Sequence, residues 1–203
     1  MPWRRHAEAE SGSSGIATWL KVVLIIFVLP TLIGGIVLLL AGRPVAFEIL
    51  HRRIAKRFPE VKWIQPEAVA RWQADSAQPQ PLLLDARTAI EYDVSRLKGA
   101  VRIDPYRPSL RPLSGLPKDR AIVVYSSAGY RGARVAAWLG RQGYTSVSNM
   151  VGGIFAWANQ RRPVFRGDTP TAQVHPYNRT WGYLVVGDYR ADAPDLEKRS
   201  AAP

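Results

Sequence analysis

Residues 122–134 read Ile122-Val-Val-Tyr-Ser-Ser-Ala-Gly-Tyr-Arg-Gly-Ala-Arg134. β-Branched residues stop at Tyr125, small residues follow, and a helical pattern runs from about Arg131 to Gln142, with Gly143 as its natural stop. A strand that hands a glycine-containing loop to a helix N-terminus is suited to holding negative charge. A sharp turn at Gly129 lets successive N–H groups face one point, and the helix adds its positive dipole end there. Arg131 offers a fixed charge and a two-pronged donor. The candidate site is therefore Ser126, Ser127, Ala128, Gly129, Tyr130 and Arg131, with Ser126 in the first position.

Working outward, Leu82-Leu83-Leu84 ending at Asp85 reads as a short buried strand. Thr88 with Glu91 three residues on forms a capping box that opens a helix. Residues 99–103, 121–125 and 146–150 read as further strands, and Gly152-Gly153 turns into a last helix near 154–160. Pro66 starts a helix that runs to about Gln73. Residues 75–81 and 104–118 read as loops. Short apolar strands alternating with helices predict an α/β fold: a parallel sheet flanked by helices on both faces. Arg87 and Glu91 are expected to pair across the strand–helix corner. Trp138 and Trp157 are expected in the core, and His175 in a packing role within a turn.

The run 123–164, VVYSSAGYRGARVAAWLGRQGYTSVSNMVGGIFAWANQRRPV, together with LLLDAR at 82–87, Glu91-Tyr92 and Gly99-Ala100, resembles a rhodanese domain. The resemblance covers about residues 63–166. It implies a domain that moves a sulfane sulfur through a cysteine persulfide on a six-residue loop, with cysteine first and glycine fourth. Gly129 and Arg131 match that pattern, but Ser126 stands where the cysteine would be. The resemblance further implies that Asp85, beside the pocket, orients the loop backbone; Arg87, at the strand–helix corner, is the other supporting residue.

The persulfide cycle needs a thiolate that attacks sulfur and then carries it. A serine hydroxyl is not ionised near neutral pH, and the chain has no cysteine at all. Disulfides and thiolate metal sites are excluded with it. Phosphatases with a related loop use one residue more and also need cysteine. A serine nucleophile needs a base beside it, and His6, His51 and His175 are remote from the loop in sequence. They also lack metal-ligand spacing, so neither a metal nor a cofactor is expected. Two functional readings follow. One is an anion- or protein-binding module inactive in sulfur transfer. The other is a membrane-tethered sulfurtransferase whose Ser126 is a loss or an introduced change.

The flanks carry separate expectations. Residues 22–41 form an uncharged apolar run that would span roughly 30 Å as a helix, the thickness of a hydrocarbon core. The expected organisation is a tail over 1–18, a transmembrane helix over 19–42 and a basic amphipathic segment over 43–62. The rhodanese-like domain follows over 63–167 and an extension over 168–203. In 45–61, Phe47, Leu50, Ile54 and Phe58 recur at helical spacing among basic residues. That helix either lies on anionic lipid or packs on the domain. Basic residues after the apolar run place the domain on the cytoplasmic side of a single-pass membrane protein.

The net charge of +12 points to anionic partners. Those expected are membrane lipid and a small anion in the 126–131 loop, beside an unspecified protein. Nucleic acid is not expected, because no basic–aromatic recognition motif is present. The stretch 173–190 is too apolar for a solvated linker, so it packs on the domain or at a membrane surface. Residues from Ala191 read as disordered.

Overall fold

A computed structural model describes residues 18–191 of the 203. The expected tail over 1–18, apart from Thr18, and the terminus beyond Ala191 lie outside the described residues. The chain divides into two compact units, Met1–Val45 and Ala46–Pro203.

The membrane span expected over 19–42 is not borne out. No helix among the described residues is long and apolar enough to cross a membrane, so the single-pass anchor and the cytoplasmic placement built on it are withdrawn. The run is divided between two structures. Leu24–Val28 forms a π-helical stretch, and helix α1 then runs from Leu29 to Arg57 through Pro44. The second half of α1 carries Arg43, Glu48, Arg52, Arg53, Lys56 and Arg57. The apolar segment is thus joined to a longer helix that also carries this charged half. Within the second unit, Ile54 of α1 is buried, and Phe47 and Phe58 pack against the domain core. Of the two readings of that amphipathic face, the structure shows packing on the domain.

Five parallel strands form the sheet: β1 (Lys62–Ile64), β2 (Leu82–Asp85), β3 (Val101–Arg102), β4 (Ile122–Tyr125) and β5 (Val147–Met150). Their order is β1-β5-β4-β2-β3. Between them run α2 (Pro66–Ala74), α3 (Ala89–Val94), α4 (Tyr130–Arg141) and α5 (Gly153–Asn159). Side chains alternate across a strand. Leu83, Val123 and Tyr125 accordingly enter one core with Val69, Ile154 and Phe155. Leu84, Ile122 and Val124 enter the other with Val135, Ala137 and Leu139. Both faces are covered, as near-continuous apolar strands require.

Beyond the sheet, β6 (Val164–Arg166) and β7 (Thr169–Thr171) make an antiparallel hairpin, followed by a short helix α6 (Arg179–Gly182). Val174 and Val185 from this extension are fully buried in the first core. Asn159 fixes the segment in place: its Nδ2 donates to the Leu184 carbonyl at 2.7 Å, and its Oδ1 accepts from the Val186 N–H at 2.8 Å.

Candidate functional site

In an open parallel sheet, a crevice forms outside the carboxyl ends of the strands where the connection direction reverses. Here that point lies between β2 and β4. The loop 126–131 leaves β4 at this edge and enters α4.

The loop is held from two sides. Gly129 adopts φ 107°, a left-handed conformation that favours glycine. Its N–H donates to Ser126 Oγ at 3.2 Å, and its carbonyl accepts from Asn149 Nδ2 at 2.9 Å. The carbonyls of Ser126 and Ser127 accept from the N–H groups of Ile154 and Phe155 at 2.9 and 3.1 Å. Those are the orphan donors at the start of α5, so one helix end and two loop carbonyls satisfy each other. Close approach is possible only because of glycine. A Cβ on Gly153 would lie 2.0 Å from the Ser126 carbonyl oxygen, and one on Gly132 would lie 2.2 Å from Asn149 Oδ1. Among the described residues, the N–H groups of Ser127, Ala128, Tyr130 and Arg131 meet no acceptor.

Arg131 is not a free cation. Its Nη1 and Nη2 donate to Glu91 Oε2 and Oε1 at 2.7 and 2.6 Å, and Nη2 also reaches Ser127 Oγ at 2.8 Å. Ser127 Oγ in turn donates to Glu91 Oε1 at 2.7 Å. Burial pulls the Glu91 carboxyl upward, but the Arg131 hydrogen bonds, the Arg131 and Arg87 charges and the Ser127 bond outweigh it and hold it at about 2. Burial opposes the Arg131 charge in the same way, and Glu91 outweighs it, so Arg131 is raised. Glu91 also completes the Thr88 capping box of α3, which positions it under the loop.

The expected pairing of Arg87 with Glu91 is replaced by another. Arg87 Nη2 meets Asp85 Oδ2 at 2.6 Å, with both side chains wholly buried. Asp85 also accepts from the Arg87 N–H and Nε, at 3.1 and 2.9 Å to Oδ1. Asp85 thus holds Arg87 rather than the loop backbone. Burial disfavours the Arg87 charge, and Asp85 overrides it, so its pKa is raised.

Above the loop lies a cavity of about 390 Å³. Ser126, Ser127 and Ala128 line its floor, and Tyr130, Arg131 and Arg134 come from α4. Its remaining walls are Leu50, Tyr106, Tyr177 and Trp181. Ser126 is nearly inaccessible at 1 % exposure. Tyr130 stands at the rim, its ring edge-on to Phe58 at 5.6 Å. Tyr177 lies over the Arg131 guanidinium at 4.9 Å. The extension remote in sequence therefore supplies two walls of the cavity. His175 belongs to that segment, and its Nδ1 accepts from the Tyr177 N–H at 2.9 Å. Burial lowers its pKa, and because Nδ1 accepts, the neutral ring carries its proton on Nε2.

The residues expected from the loop pattern, Ser126 to Arg131, converge on this cavity, while Asp85 and Arg87 form a buried pair beneath it. Sequence reasoning missed Arg134, Tyr106, Tyr177, Trp181 and Leu50 as cavity walls. Arg134 had a signal: it lies three residues after Arg131, on the same helix face. The tail residues had none. Among the described residues no group of three or more His, Asp or Glu could hold a metal ion.

The family model for the rhodanese-like domain matches residues 66–160. A sulfurtransferase of Allochromatium vinosum is 35% identical over 104 residues, 51% of this chain and 94% of that protein. The probable adenylyltransferase/sulfurtransferase MoeZ of Mycobacterium tuberculosis is 34% identical over 101 residues, but this chain spans only 25% of its length. A tRNA uridine(34) hydroxylase of Streptococcus suis is 31% identical over 97 residues, and 28% of its length is spanned. The parallel sheet, the β4–loop–α4 site and near-complete coverage of the first relative agree: the chain belongs to the rhodanese-like family.

Proposed function

We propose that this protein uses the rhodanese-like fold to bind an anion over the 126–131 loop and does not transfer sulfur. The observation that carries the reading is Ser126 at the head of an intact loop in a chain without cysteine. Sulfur transfer begins when a thiolate attacks a sulfane sulfur and expels its leaving group. The Ser126 hydroxyl stays protonated near neutral pH, and no neighbour takes its proton. Glu91 is held at about 2 by Arg131, Arg87 and Ser127, and His175 Nδ1 is already occupied by the Tyr177 N–H.

The loop N–H groups at the start of α4 require no thiol to meet a negative charge. One relative is named for hydroxylation rather than sulfur transfer, which supports a family domain serving other ends. The sulfurtransferase names of the other two relatives support the competing reading, and that reading lacks its nucleophile here. The test is thiosulfate:cyanide turnover by the whole chain. Thiocyanate should form no faster than with heat-inactivated protein; clear turnover overturns the proposal.

A further inference from the structure

We infer that the ligand of this cavity is an organic anion with a flat apolar body, its charge met by Arg134 rather than by Arg131. The inference rests on the anion-binding reading above and sharpens its ligand class.

Charge comes first. The positive charge of Arg131 is already matched by Glu91 through two short bonds. Arg134, one turn along α4, also lines the cavity. Its Nη2 donates to the Pro105 carbonyl, and its guanidinium lies 5.1 Å from the centre of the Tyr106 ring. No carboxylate among the described residues forms an ion pair with it. The cavity therefore carries one uncompensated positive charge, placed on its wall and not in its floor. A planar guanidinium so held is suited to a two-oxygen partner such as a carboxylate.

The walls decide the rest of the ligand. Tyr106, Tyr130 and Tyr177 are 61%, 45% and 44% exposed, yet all three border one concavity together with Trp181 and Leu50. An inorganic anion would leave these surfaces in water. A flat apolar body would cover them and gain both burial and ring–ring contact. The volume of about 390 Å³ lies within the range of about 300–1,000 Å³ usual for organic-ligand clefts.

Calorimetric titration of the full chain with naphthalene-2-carboxylate, its neutral amide and thiosulfate tests this. The carboxylate should bind at least about tenfold tighter than either of the others, a gap set by one satisfied ion pair. Arg134→Gln should abolish the preference for carboxylate over amide, Arg134→Lys should keep only part of it because the two-pronged fork is lost, and Trp181→Ala should weaken both aromatic probes. Equal binding of carboxylate and amide by the unaltered chain overturns the inference. So does thiosulfate binding that is tighter than the carboxylate's and indifferent to Arg134→Gln, although the anion-binding reading then stands. Failure of every anion to bind overturns both.

Discussion

Arg131 closes on Glu91 with both ends of its guanidinium, Nη1 to Oε2 at 2.7 Å and Nη2 to Oε1 at 2.6 Å. This pair joins the end of the reaction-type loop to the capping box of α3. It makes the loop a fixed structure before any ligand arrives, and it offsets the Arg131 charge that the loop pattern offers.

The pair links stability to pH. Glu91 is held at about 2 in the fold, below the ordinary carboxylate value of about 4.3. Its contribution is therefore complete above about pH 5 and is lost as pH falls toward 2. The full contribution is on the order of 3 kcal/mol. Urea denaturation at pH 7 and pH 3 should show a large fall in stability on acidification. The fall should be smaller in Glu91→Gln, which has no charge to lose.

Asp85 and Arg87 form a second pair, with neither side chain exposed. Asp85→Asn leaves a buried guanidinium without its counter-charge. Breaking a buried pair in this way costs roughly 3–5 kcal/mol. Removing both charges with Asp85→Asn plus Arg87→Met should recover part of that loss. Guanidinium-chloride unfolding of the single and double variants reads the difference.

Two glycines should respond oppositely to alanine. At Gly153, φ is +56° and the new Cβ would meet the Ser126 and Ser127 carbonyl oxygens at 2.0 and 2.8 Å. The loop must move, and the cost should be about 1–3 kcal/mol or more. Faster exchange of the Ile154 amide, which bonds to the Ser126 carbonyl, would report that movement. Gly140 in α4 has nothing within 4 Å. Gly140→Ala should raise stability by about 0.5–1 kcal/mol through helix propensity. Thermal melts compare the two.

Asn159 bonds to Leu184 and Val186 with both atoms of its amide. Asn159→Ala should free the segment that carries Tyr177 and Trp181 to the cavity. A cost of about 1–3 kcal/mol is expected from the two unpaired backbone groups. Limited proteolysis should then cut preferentially within 173–191, and ligand binding should weaken without change to the 126–131 loop.

The sheet was legible because its central strands are almost wholly buried and bounded by clear stops. Leu82–Leu84 and Ile122–Tyr125 are continuous apolar runs, the first ended by Asp85, and Thr88 with Glu91 marked the helix start of α3. The edge strand Lys62–Ile64 was not legible, because three residues carry no readable period. The loop at 126–131 was legible from glycine and arginine spacing. Its charge state was not, since Glu91 lies 40 residues before Arg131 and only the fold brings them together. The membrane expectation was not borne out, since no helix among the described residues is long and apolar enough to cross a membrane; where the helix that includes part of 22–41 ends, at Arg57, was not legible either. The aromatic walls came from Tyr106 and from Tyr177 and Trp181 in the extension, positions fixed by tertiary packing.

The central claim is that the loop is a formed anion cradle lacking only its sulfur carrier. Cysteine at 126 would receive the Gly129 N–H that Ser126 Oγ now accepts and would sit at the start of α4. Both lower a thiol's pKa below its usual value of about 8.5. Side-by-side thiosulfate:cyanide assays of the unaltered chain and Ser126→Cys test this directly. In the variant, the thiolate should take the outer sulfur and expel sulfite, and cyanide should remove that sulfur as thiocyanate. The account predicts turnover by Ser126→Cys and none by the unaltered chain above heat-inactivated protein. Turnover by the unaltered chain, or a folded Ser126→Cys that forms no thiocyanate, would contradict it.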